Sequence, residues 1–242
     1  MQNSAERQAR LDVAAAHRLA VMHELNEGVW NHISLTSPDE PDNILISPGH
    51  THWSQVTASS LALMSPKGEL ISGNRPPIRA GWIIHHPVHK ARPDAKCVIH
   101  VHAPYITAMS IRKDMVLETR SSQQAAGFHG DVVYYEVYDG VLSDESEGEH
   151  MAEVLGQKRI LMMRNHGAMI VGNSVARAYL DAYQLERACM YQLLAVSGGG
   201  TMQLIPEEIA SEMGRLAREG RNLEHFEGMK RLVEAKEPDF AN

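Results

Sequence analysis

Val98-Ile99-His100-Val101-His102 is an apolar, β-branched run carrying two histidines two residues apart. That composition favours a strand. Along a strand successive side chains alternate between faces, so His100 and His102 point one way and Ile99 and Val101 the other, into an apolar layer. Two imidazoles on one face suit a shared divalent metal. The same pattern also describes a half-buried strand whose polar face happens to hold two histidines, and so short a motif does not separate the readings.

Working outward, the chain has 242 residues, 43% of them hydrophobic and 22% charged, the ordinary balance of a globular protein with one or two α/β domains. The net charge of −7 and the lack of a Lys/Arg cluster argue against a nucleic-acid partner. No apolar run reaches membrane-spanning length, and the charged N-terminal segment does not read as a signal peptide. Cys97 and Cys189 lie far apart in apolar segments and read as reduced core thiols, with a single disulfide as the alternative; a cytoplasmic location is expected. The fourteen histidines are the unusual count, and they concentrate between His85 and His102.

In chain order, residues 4–27 have helical periodicity, with Asn3 or Ser4 as cap and Gly28 as stop. Residues 31–35 and 43–47 read as strands around a Ser-Pro-Asp-Glu-Pro-Asp turn. Residues 61–64 and 69–71 form a hairpin about Ser65-Pro66-Lys67-Gly68. A helix over 79–91 contains Pro87, which argues against a straight axis. The strand at 96–101 leads into a helix over 103–113. Strands follow at 132–138, 160–163 and 168–171, with a short helix over 148–155 between the first two. Ser174 caps a long helix to about Val196, Gly198-Gly199-Gly200 ends it, and amphipathic helices cover 206–219 and 223–235. Tyr134, Tyr135 and Tyr138 read as strand residues.

A catalytic metal site commonly has three protein ligands and one position left for water or substrate. His166 is the best third candidate, in a turn where Asn165 and Gly167 permit tight or left-handed backbone. A solvent-facing turn histidine is the alternative, and the long separation from His102 does not choose between them.

Ala91-Arg92-Pro93-Asp94-Ala95-Lys96-Cys97-Val98-Ile99-His100-Val101-His102, followed by Met163-Arg164-Asn165-His166-Gly167, resembles the class II aldolase/adducin family, over about residues 14–196. The resemblance implies one divalent metal held by His100, His102 and His166, with zinc first and manganese, iron or cobalt as alternatives. It implies a three-layer α/β/α sandwich around a mixed, mainly antiparallel sheet. It also implies a cyclic homotetramer with the metal near a subunit interface. Residues 1–197 are then the metal-binding domain, and 198–242 a helical extension packing on it or on a neighbouring subunit.

The sequence departs from the family's sugar-phosphate aldolases at Gly81, where they carry a glutamate that acts as general acid/base. This resembles the adducin-like branch. Among nearby histidines, His85 is the candidate catalytic replacement; His89 reads as a surface helix residue and His86 as a packing residue. The aldolases' phosphate-binding segments correspond here to Asn31-His32 and Ser47-Pro48-Gly49-His50-Thr51-His52. His32, Ser47, His50, His52 and Arg75 are the candidate substrate-binding residues, for a carboxylate or phenolate as readily as a phosphate; exposed loop residues are the alternative for His50 and His52.

Three neutral imidazoles leave a metal its full charge as a Lewis acid. A metal-dependent carbon–carbon lyase acting on a small hydroxy- or oxo-carboxylate, through an enolate, is the expected enzyme. Loss of the glutamate tilts the choice from aldol cleavage towards decarboxylation, which needs no base for bond breaking. Two alternatives are a non-haem iron oxygenase on the same three histidines and a non-catalytic adducin-like scaffold.

Overall fold

The computed structural model describes residues 4–114, 116–138, 140, 144–220 and 222–242. Eight strands form one sheet: β1 (His32–Thr36), β2 (Ile44–Ile46), β3 (Ala62–Met64), β4 (Leu70–Ser72), β5 (Cys97–Val101), β6 (Val132–Tyr135), β7 (Ile160–Met163) and β8 (Gly167–Gly172). Their order is β4-β3-β2-β1-β5-β8-β7-β6. Among the described residues β6 and β7 pair in parallel and the other neighbours pair antiparallel, so the sheet is mixed and mainly antiparallel, as expected.

Alternation divides the sheet into two faces. Ile33, Leu35, Cys97, Ile99, Val101, Ile160, Met162, Ala168 and Ile170 share a core with α1 (Ser4–Met22), α3 (Pro104–Ser110), α6 (Val175–Ser197) and α8 (Glu224–Lys236). Val98, Leu161, Met163, Met169 and Val171 face the other way and pack on α2 (Arg79–Ala91) and α5 (Glu145–Leu155). The result is the α/β/α sandwich. Ile99 and Val101 enter the first core, which leaves His100 on the α2 side. Phe226 and Val233 of α8 and Phe240 beyond it join the α1 core, while Arg18 ion-pairs with Glu237 and Asp239. Cys97 and Cys189 are buried free thiols. No helix is long and apolar enough to cross a membrane.

Several boundaries differ from expectation. The first helix stops at Met22 rather than Glu27. Glu24 takes a left-handed φ of 57°, its N–H bonds Val21 O at 3.2 Å and the Leu25 N–H bonds Ala20 O at 2.8 Å. This Schellman closure buries Leu25 and turns the chain back without a glycine. The Asn3 cap lies outside the described residues. The strand after residue 132 ends at Tyr135, so Tyr138 lies beyond it and is exposed. Asp144 caps α5 by accepting the Ser146 N–H, so that helix starts before Gly148. Ser174 caps α6 as expected, accepting from Arg177 N–H.

Pro87 sits inside α2 without ending it. Proline cannot donate to the carbonyl four residues earlier, that of Ile83. Gly148 of α5 lies against that carbonyl: a Cβ there would come within 2.0 Å of Ile83 O and 3.0 Å of Pro87 Cγ. The close approach of the two helices thus depends on one residue without a donor and another without a side chain.

Candidate metal centre

Antiparallel pairing sets His32 of β1 opposite His100 of β5, and β8 flanks β5 on its other side with Met169 opposite His100. His102 follows directly on the end of β5. His166 lies in the β7–β8 turn, where Asn165 adopts φ 54°, a conformation asparagine tolerates better than most residues. Gly167 keeps negative φ and serves differently. A Cβ there would sit 2.3 Å from Val101 O and 3.1 Å from His102 Cδ2, so glycine lets the turn close over the end of β5.

These elements bring His100, His102 and His166 together, with one ligand atom from each lying within 4.8 Å of the others. His100 Nδ1 lies 3.1 Å from Ala168 O and His102 Nδ1 lies 2.7 Å from Glu27 Oε2. A carbonyl and a carboxylate only accept, so both Nδ1 atoms donate, and with both rings neutral the two Nε2 atoms carry lone pairs. Those two Nε2 atoms face each other at 2.9 Å. Two bare acceptors at that distance repel unless a cation lies between them, and three neutral imidazole donors suit a divalent transition metal. Burial, followed by the neighbouring His102, lowers the His166 pKa to about 4. Burial, then His102 and His166, holds His100 well below its ordinary value. Both are therefore neutral ligands near pH 7.

The wall behind the three histidines is also built of imidazoles. The His32 ring stacks on His100 at 5.8 Å and meets His85 edge-on at 5.5 Å. His32 fills the space in front of Gly81. His85 Nδ1 and His89 Nε2 both contact Ser34 Oγ, at 2.6 and 2.7 Å, and His89 Nδ1 bonds Ala95 O at 3.0 Å. His89 is thus buried, not a surface residue, because it ties α2 to β1 and to the start of β5. His86 stacks on Trp82 at 4.7 Å. Both His32 nitrogens and His85 Nε2 are buried without a protein partner. Burial, then His102 and His166, lowers the His32 pKa to about 3.

The other expected residues are more dispersed. Ser47 Oγ is engaged within the fold, 2.7 Å from His17 Nε2 and accepting the Ile33 N–H at 2.8 Å. His52 caps the turn Trp53–Gln55 through the Ser54 N–H, and its Nε2 lies 3.3 Å from the Asn26 amide group. His50, at φ 55°, and Arg75 are exposed loop residues. Glu27 was not singled out from the sequence, since a loop carboxylate 75 positions from its histidine leaves no periodic signal.

A mixed sheet between helical layers, with a three-histidine centre at the end of its middle strand, is the build of the class II aldolase fold. Residues 11–193 match the Class II Aldolase and Adducin N-terminal domain family, and the chain belongs to that family. The crystal structure of an aldolase II superfamily protein from Pseudomonas syringae superposes with a TM-score of 0.90 at 30% identity, covering 99% of this chain and 97% of that one. An L-fuculose 1-phosphate aldolase from Glaciozyma antarctica superposes with a TM-score of 0.82 at 26% identity, covering 96% and 92%. Mouse alpha-adducin is 36% identical over 199 residues, which are 81% of this chain and 26% of that protein.

Proposed function

We propose that this chain is a divalent-metal-dependent carbon–carbon lyase, of decarboxylase or aldolase type, for a small hydroxy- or oxo-carboxylate. We place it in the cytoplasm as a homotetramer, with zinc as the first metal and manganese, iron or cobalt as alternatives. The observation that carries this reading is the convergence of His100, His102 and His166, with the two Nε2 lone pairs facing each other at 2.9 Å. A bound divalent metal supplies Lewis acidity towards a chelating hydroxy- or oxo-carboxylate.

The chain's own residues set the rest. Position 81 is glycine, so no carboxylate is available there as a base. In this reading the partnerless nitrogens of His32 and His85 hydrogen-bond the substrate, or His85 passes it a proton, a role supported by those unpaired nitrogens. Release of carbon dioxide requires only the second of these acts, which favours the decarboxylase form. His50, His52 and Arg75 belong to the same proposal as binders of the substrate's anionic end. Ser47 shapes the loop that bears the first two.

The test is metal analysis of the purified protein, then a screen of hydroxy- and oxo-acids for carbon dioxide or aldehyde release. One metal per chain is expected, lost in folded His100→Ala. Unchanged metal content in that variant overturns the site assignment. The similarity to alpha-adducin favours a second reading, a scaffold without chemistry. A wild-type protein that takes up no divalent metal supports that reading and overturns the first.

A further inference from the structure

We infer that Glu27 is a positioning residue for the metal centre: its carboxylate fixes the tautomer and rotation of His102, aiming Nε2 at the site. This rests on the reading of His100, His102 and His166 as ligands. The contact is direct, with Glu27 Oε2 2.7 Å from His102 Nδ1. The carboxylate cannot donate, so the proton of the neutral imidazole belongs on Nδ1 and its lone pair on Nε2.

The loop carrying Glu27 is built to hold it there. The reversal after α1 at Glu24 brings the chain back towards the sheet. The Glu27 N–H donates to Asn31 Oδ1, and its carbonyl accepts the Trp30 N–H at 3.2 Å. Asn31 is buried immediately before β1, and its own carbonyl accepts Trp53 Nε1–H at 3.1 Å. Glu27 is therefore fixed at its backbone while its side chain, 53% exposed, reaches His102.

So exposed a pair adds little to folding. Its consequence is for the ligand. An acceptor on the distal nitrogen of a metal-bound histidine fixes the ring and raises its basicity. His100 receives that support from the Ala168 carbonyl, which no substitution removes, whereas His102 receives it from a side chain.

The experiment uses full-length metal-free protein and zinc alone. Zinc affinity is measured by chelator competition for wild type, Glu27→Ala and Glu27→Gln, and the His102 tautomer by ¹⁵N NMR. Glu27→Ala should bind about 10- to 100-fold more weakly, the usual loss for such an outer partner. Glu27→Gln keeps an acceptor oxygen and should fall between. Wild-type His102 should be protonated on Nδ1, and Glu27→Ala should mix the tautomers while its metal-free thermal midpoint stays at the wild-type value. Affinity within twofold of wild type in both variants, or a wild-type proton on Nε2, overturns the inference. If Glu27→Ala does not fold, the isosteric Glu27→Gln decides alone, by the same twofold criterion. Failure of wild type to bind zinc or any other divalent metal instead overturns the metal centre itself, so the two failures are distinguishable.

Discussion

Gly81 of α2 and His32 of β1 compete for one volume. A Cβ on Gly81 would lie 2.7 Å from His32 Cδ2 and 2.9 Å from its Nε2. His32 cannot retreat, because its ring is buried against His85 and His100. A glutamate at position 81 and a histidine at position 32 are thus mutually exclusive in this packing. Glycine at position 81 is therefore what leaves room for His32 beside His85 and His100.

Gly81→Ala should therefore destabilise the protein by about 1–3 kcal/mol, as overpacking does, although alanine favours helices. In a His32→Ala background the same substitution should be neutral or stabilising. Chemical denaturation of the four proteins gives the cycle. The two residues should couple by at least about 1 kcal/mol, and simple additivity would refute the shared volume.

Gly167→Ala should affect both fold and metal. Its Cβ would meet Val101 O at 2.3 Å and crowd the His102 ring at 3.1 Å. A stability loss of about 1–3 kcal/mol is expected. A matching loss of zinc affinity, read by chelator competition, should accompany it. Loss of stability with unchanged affinity would detach the turn from the centre.

Ser47→Ala should act on folding alone. It leaves His17 Nε2 and the Ile33 N–H without their hydroxyl partner inside the core. The expected cost is about 1–3 kcal/mol in urea denaturation, with zinc affinity unchanged.

Acid should destabilise the metal-free protein in part through His17 and His89, which lie outside the three-histidine cluster. Burial lowers the pKa of both His17 and His89 to about 4. An unfolded histidine titrates near 6.5, so between about pH 6.5 and 4 the unfolded chain binds more protons than the native one. Each group's stabilisation is complete above that window and is lost as pH falls through it, by about 3 kcal/mol per group. Metal-free protein should lose stability over this range. His89→Gln should flatten the slope even where it lowers the plateau, and a slope identical to wild type would sink the assignment.

What the sequence showed was local. The alternation in Val98–His102 predicts that Ile99 and Val101 enter the core while His100 and His102 share the other face, because one strand's period is enough to settle that division. The turn at His166 was legible from Asn165 and Gly167, although only Asn165 takes positive φ. What required the fold was contact between segments distant in sequence. His89 looked like a surface residue because nothing on its own helix reveals Ser34 and Ala95. α1 ends at Met22, ahead of the Gly28 stop that the sequence predicts, because Glu24, not a glycine, takes the left-handed position.

The fit of Gly148 against the Ile83 carbonyl, beside Pro87, has a consequence for the rear of the three-histidine centre. A one-turn slide of α2 along α5 would drive Gly148 into side chains or into a hydrogen-bonded turn, so the helix has one register. Gly81, His85 and His89 travel with it. The rear of the centre therefore behaves as a cast part rather than an adjustable one. A substitution along α2 or β1 would thus change the side chains lining the rear of the centre without moving the helix that carries them.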